Sequence, residues 1–211
     1  MSALKKILMM ANQAEEENLL PEGYVECECL VFDGYTGIMT PHIITDLDNE
    51  GLIVEAILQA RSHGDSFGVA FDVYKKTPGN SLLHYDEGWS LDSSLEPAPY
   101  SFEKVQIYIQ FAYFSCALMM NDTLDGNYTY YSHGRGPRIG YHNLYIGIGY
   151  DGSNCFKGDI YDVKVYDLNS VLLSHYIPAL RTADGKAGMY DIIRNEFLTS
   201  ITRQNFSFRL K

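Results

Sequence analysis

The chain lacks a long apolar run, an excess of basic residues and any metal-type or redox-type spacing of its cysteines, and each absence removes a class of protein. The longest N-terminal apolar stretch, Ile7 to Ala11, is shorter than a signal-peptide core and far shorter than a membrane span. A chain made and folded in a cytoplasm, without membrane insertion, is the expectation, and the Asn-x-Ser/Thr matches at Asn121, Asn127 and Asn205 carry no weight there. Lys and Arg together number 16 against 27 Asp and Glu, a formal net charge of −11. That field repels a phosphate backbone, so nucleic acid is not an expected partner. Arg135 and Arg138, flanking a Gly-Pro turn signal, are the best local exception, and two charges make a poor footprint.

Cysteine is equally uninformative as a site. Cys27, Cys29, Cys116 and Cys155 form neither a zinc pattern nor a Cys-x-x-Cys pair. Cys27 and Cys29 fall on one face of a strand by the period of two, a poor basis for a mutual disulfide, so buried free thiols are expected. The six histidines show no paired metal spacing and read as surface or strand-end residues.

What is present is aromatic and β-branched. With 211 residues, 46% hydrophobic, and 17 Tyr and 10 Phe, the composition suits one large all-β domain, because rings pack well on a pleated surface. Residues 3 to 18 are the exception. Leu4, Ile7 and Ala11, with Leu8 beside them, make an apolar stripe on a predicted helix that is too short to stand alone. It must lie on its own domain, a sister copy or a larger assembly. Pro21 marks the boundary, giving an N-terminal attachment or oligomerisation segment at 1–19 and a β domain at 20–211.

Strands are predicted at Tyr24 to Val31, Leu52 to Gln59, Ser66 to Tyr74, Phe102 to Tyr113, Leu144 to Tyr150, Asp159 to Tyr166 and Asn205 to Leu210. Turn signals separate them at Asp125-Gly126-Asn127, Asp151-Gly152 and Asp184-Gly185. In the sixth, strict alternation places Ile160, Asp162, Lys164 and Tyr166 on one face and Tyr161, Val163 and Val165 on the other. Residues 86 to 100 around Trp89 read as a long loop, and Pro178, lacking an amide proton, as part of a connection. Gly185 and Gly188 bracket a turn into Met189 to Ile192, with a tight reversal at Arg194-Asn195 before Glu196 to Leu198.

Two stretches resemble a known family. Leu20-Pro21-Glu22-Gly23-Tyr24, and Gly158 to Asp167 followed by Tyr176-Ile177-Pro178-Ala179, Arg181, Asp184-Gly185, Gly188 to Asp191 and Phe197, are similar to the ends of a concanavalin A-like, LamG-like domain. That domain is common in proteins of gut bacteria and their phages. The resemblance implies a two-sheet antiparallel jelly-roll sandwich over residues 20 to 208, with the N-terminal helix as an addition. It implies a lectin-like structural, decoration or fibre-type protein of a phage virion that contacts other virion proteins or sister copies through its helix and meets host-surface glycans. A bacterial carbohydrate-binding protein is the alternative, and a glycoside hydrolase-like enzyme a further one.

Catalysis finds little support in the residues. A jelly-roll glycosidase is expected to carry Glu-x-Asp-x-x-Glu on one strand, so that nucleophile and acid face each other across the sugar, and no such segment occurs. Asp86-Glu87 and Asp159 with Asp162 have other spacings and read as loop and solvent-face residues. No Gly-x-Ser-x-Gly elbow occurs, and Cys116 lies in an apolar core-like run.

Sugar binding needs an aromatic platform with planar hydrogen-bonding groups nearby. Trp89 with His84, Tyr85 and Asp86, and Tyr128, Tyr130 and Tyr131 with Arg135, offer both. Strand packing or a subunit interface accounts for the same aromatics. Calcium is the one cofactor the residues invite: Asp125, Asn127 and Asp151, with Asp122 and Asn154, supply the oxygens it prefers, while Asx turns explain them without a metal.

Overall fold

The computed structural model describes residues 19–44, 51–61, 68–72, 81–85, 88–90, 103–112, 115–121, 129–134, 142–149, 155–202 and 204–211. The predicted helix at 3 to 18, with Leu4, Ile7, Leu8 and Ala11, lies outside them. The described residues are all β: β1 Tyr24–Asp33, β2 Ile38–Ile44, β3 Gly51–Ala60, β4 Gly68–Asp72 and β5 Ser81–Tyr85. There follow β6 Gly88–Ser90, β7 Lys104–Ala112, β8 Ser115–Asn121, β9 Thr129–Gly134 and β10 His142–Ile146. The chain closes with β11 Lys157–Asp167, β12 Leu172–Arg181, β13 Lys186–Asp191, β14 Glu196–Leu198 and β15 Ser207–Leu210. Among these residues no helix is long and apolar enough to cross a membrane.

Every pairing is antiparallel, and the strands form two sheets. The larger has ten strands in the order β14-β13-β12-β1-β11-β3-β7-β8-β9, with β15 on β1; the smaller has five, β2-β10-β4-β5-β6. One apolar core joins them. Leu30, Phe32, Val54, Leu58, Ile107, Ile109 and Val163 from the larger sheet pack with Ile38, Phe71, Leu144 and Ile146 from the smaller, all within 1% of full burial. Alternating inward residues from two facing sheets are what a sandwich requires, and burying each large side chain contributes about 1.5–3 kcal/mol.

The larger sheet forks. β11 and β12 form a hairpin paired from Val163–Tyr166 to Leu172–Tyr176. Beyond it they diverge, Ile160 to Lys157 pairing with Leu30 to Asp33 of β1 and Ala179 to Arg181 with Glu26 to Tyr24. β1 therefore fills the mouth of the hairpin, and β15 pairs along β1 from Cys27 to Val31. Three mutually antiparallel strands cannot lie side by side in a flat layer, so the hairpin must splay.

Two expectations change at the fork. Pro178 is not in a connection: it is buried inside β12, opposite Met189, between the last residue paired with β11 and the first paired with β1. A residue without an N–H is tolerated where its strand changes partner. The alternation on β11 also breaks, because the register with β3 shifts between Ile160 and Asp162. Such a bulge inserts one residue and re-aims its neighbours. Ile160 joins Val163 and Val165 in the core, while Tyr161 turns outward with Asp159.

The C-terminal hairpin matches its expectation in outline: β13, a turn with Asn195 at φ 58, then β14. Gly185, at φ 68, makes the preceding turn. Gly188 lies within β13 instead of bracketing that turn, where a Cβ would overlap the Leu198 carbonyl and press on the Phe197 ring. The stretch around Trp89 is not wholly loop, since Gly88–Ser90 is β6.

Candidate functional site

The outer face of the larger sheet carries the main concentration of polar side chains among the described residues. Lys104, Gln59, Asp159 and Val31 are successive register partners across β7, β3, β11 and β1, so their side chains share a face. Asp159 is only 2% exposed, which corrects its reading as a solvent-face residue. A buried carboxylate needs opposite charge and hydrogen bonds. Arg61 Nη2 donates to it at 2.6 Å and Arg209 Nη2 donates to its second oxygen.

The two arginines reach Asp159 from different elements. Arg61 follows β3, and its backbone N–H donates to the Lys157 carbonyl at 3.0 Å. Arg209 comes from β15, with its Nε donating to Cys29 Sγ at 3.1 Å and its Nη2 to the Tyr161 hydroxyl at 3.0 Å. The bulge places Tyr161 here; its hydroxyl donates to Gln59 Oε1 at 2.9 Å, and Lys104 Nζ lies 3.6 Å from its ring centroid. Burial pushes the Cys29 thiol and the Tyr161 hydroxyl up, away from ionisation, and Arg209 is held above its ordinary value first by its bond to Cys29 and then by Asp159. Cys27 and Cys29 are buried and free, as expected; burial and the Cys29 thiol beside it push Cys27 up to about 11.

Further along the same face Glu55 is 2% exposed. It accepts from Gln106 Nε2 at 3.0 Å and from the Tyr166 hydroxyl at 2.9 Å, and Lys164 Nζ lies 3.8 Å away. Lys164 is also 3.7 Å from Asp162, whose other oxygen meets His175 Nε2 at 2.6 Å. An ammonium thus stands between the two carboxylates. Burial and then Glu55 raise the Tyr166 hydroxyl far above the ordinary tyrosine value, so it stays a donor. Ile53 and Tyr108 form a small apolar cluster on this face with Met119, Tyr166 and Leu168.

A Ser, a His and an Asp do meet, but inside the sandwich. His42 Nε2 lies 2.7 Å from Ser174 Oγ, and Ser174 donates to Asp191 Oδ2. The serine is therefore the middle member, and among the described residues no carboxylate is bonded to the imidazole to orient it as a general base requires. Asp191 Oδ1 accepts from the backbone N–H groups of Ile193 at 3.0 Å, His175 at 3.2 Å and Arg194 at 3.3 Å. The group fastens β2 to β12 and to the β13–β14 turn. His42 is 7% exposed, which corrects its reading as a surface residue.

The aromatics expected to bind sugar that are described fall on β5, β6 and β9. Tyr85 and Trp89 lie on β5 and β6, with His84 opposite Trp89 and Tyr85 opposite Gly88; Tyr130 and Tyr131 lie on β9. β6 and β9 each end a sheet, at the opposite end from β2 and β14, which touch each other. The two aromatic groups are thus on different sheets and do not form one platform by pairing. Tyr128 and Arg135 lie outside the described residues, as do the calcium candidates Asp125, Asn127 and Asp151. Among the described residues no three His, Cys, Asp or Glu are grouped to hold a metal.

Sequence reasoning missed Arg61, Gln59, Lys104 and Arg209. Nothing local marks them, because they come together only through register. Glu55 did carry a signal, as the sole charge in the apolar run Leu52 to Leu58.

No protein-family model matches the chain, and no curated protein matches it. Among solved structures, a native heptameric SAP-like pentraxin from Limulus polyphemus aligns over 68% of this chain and 76% of its own, at 12% identity and a TM-score of 0.42.

Proposed function

We propose that the chain is a non-catalytic, concanavalin A-like jelly-roll component of a phage virion that binds host-surface glycans and is held to its assembly by residues 1–19. The observation that carries the binding reading is the Asp159 strip. Exposed planar donors and a tyrosine surround a carboxylate that is already neutralised, which suits holding a hydroxylated ligand and not reacting with it. The non-catalytic reading is supported by the state of the buried carboxylates. Asp159, Glu55 and Asp191 are each closed by partners, and Lys164 stands between Glu55 and Asp162 where a retaining glycosidase needs one free nucleophile and one acid. The virion reading rests on the family resemblance at both ends of the domain.

A glycan array with the whole chain, repeated with Lys104→Ala, Trp89→Ala and Tyr130→Ala, is the test. Discrete sugar hits weakened by Lys104→Ala are expected. Equal signal across all sugars would remove the glycan reading, and release of reducing ends from a bound glycan would remove the non-catalytic one.

A further inference from the structure

We propose that the strip formed by Arg61, Arg209, Lys104, Gln59 and Tyr161 is a binding site for an acidic, carboxylate-bearing sugar. This deepens the glycan reading and rests on it. The charge on Asp159 is covered on the outer face, its side chain 3% exposed, whereas the guanidinium groups that cover and neutralise it are 49% and 44% exposed. The solvent side of the cluster therefore presents N–H donors. Arg61 spends one Nη2 donor on Asp159, whereas Arg209 gives Nη2 to Asp159 and Tyr161 and Nε to Cys29, which leaves its Nη1. Of the five donors of a guanidinium, Arg61 thus keeps most for a carboxylate and Arg209 adds one further nitrogen.

The sheet also removes much of the ordering cost. Arg61 and Arg209 are held by Asp159, Arg209 additionally by Cys29 and Tyr161, and Lys104 sits over the tyrosine ring. Donors fixed before the ligand arrives lose less entropy on binding than free arginines would.

Three features favour a sugar acid over a polyphosphate. The Gln59 amide and the Tyr161 hydroxyl, bonded to each other, add a neutral polar component beside the cations. The exposed carboxylate of Glu28 lies 3.9 Å from Arg209 Nε, so the rim beside Arg209 carries an acidic group. The whole chain carries −11, which penalises a long polyanion more than one carboxylate.

The test is ligand-observed NMR titration of the whole chain with trigalacturonate and with its methyl ester, which keeps the sugar and removes the charge. Trigalacturonate is expected to bind at least tenfold more tightly than the ester. Arg61→Ala and Lys104→Ala should each weaken it tenfold or more, and Arg194→Ala, on a separate exposed ion pair, should leave it unchanged. Lys104 makes no bond to Asp159, so its removal tests the site without uncovering the buried carboxylate.

Acid and ester binding alike would overturn the acidic-sugar site while leaving glycan binding intact. No binding of either up to about 10 mM, with a uniform array, would remove both. Equal capture of oligothymidylate through the same residues would overturn it as a general anion patch.

Discussion

At the scale of single residues, close approach and burial decide which side chains are tolerated. Gly188→Ala should destabilise the domain by about 1–3 kcal/mol, because the new Cβ meets a backbone carbonyl that cannot move like a side chain. Urea unfolding measures it, and an unchanged midpoint would show that β13 and β14 separate freely. Gly185→Ala meets nothing within 4 Å and should cost only about 1 kcal/mol for its left-handed backbone. His42 makes stability depend on pH. Burial first, then Arg194, lowers its pKa below the ordinary 6.5, with Asp191 and Glu196 opposing. The folded state thus favours the neutral ring, so the stabilisation is complete above about 6.5 and is lost as pH falls from there toward the folded value. The Asp184 carboxylate, held down to about 2 first by its bond from Arg181, loses its contribution only in far stronger acid. His42→Gln keeps a donor toward Ser174 without the titration, so its melting temperature should fall less than the native chain's between about pH 7 and about pH 5. Equal falls in both would place the pH dependence elsewhere.

At the scale of elements, β15 is the strand on which the outer strip depends. It contributes Arg209 to Asp159 and covers Cys29, which is fully buried. Removing residues 204–211 leaves Arg61 as the remaining cation bonded to Asp159 among the described residues, and losing one partner of a buried ion pair costs about 3–5 kcal/mol. Thiol labelling read peptide by peptide should then show Cys29 reacting much faster while Cys155, already partly exposed, changes little. An unchanged Cys29 rate would mean that β15 does not cover it.

The same elements show what the sequence made legible. The strands around Tyr24, Leu52, Phe102 and Asp159 were readable because β-branched and aromatic runs between turn signals are local features. β12 was not, since Pro178 argues against a strand unless the fork is known. The Asp159 strip was illegible for a related reason: a one-residue bulge at Tyr161 changes which side chains share a face, and register between distant strands leaves no trace in local spacing.

At the scale of the whole molecule, the question is where the fold begins. Leu20 is 6% exposed and packs with Ile177, Ala179 and Tyr190, flanked by Tyr24 and Phe197, whereas Leu19 is 47% exposed. Tyr24 is also anchored from its backbone N–H to the Pro21 carbonyl, and Thr182 N–H to the Gly23 carbonyl at 2.9 Å. Those contacts tie the chain's entry to the β12–β13 hairpin using residues from 20 onward. If residues 1–18 serve attachment, as proposed, a chain starting at Leu19 keeps this anchor and should unfold cooperatively at nearly the native temperature. Its mass in solution should be that of one copy, while the full chain should run as a multiple of 23.9 kDa or bind particles lacking it. A truncated chain that loses cooperative unfolding would instead place the apolar stripe of Leu4, Ile7, Leu8 and Ala11 against its own sheets, making the segment part of the core and leaving assembly to another surface.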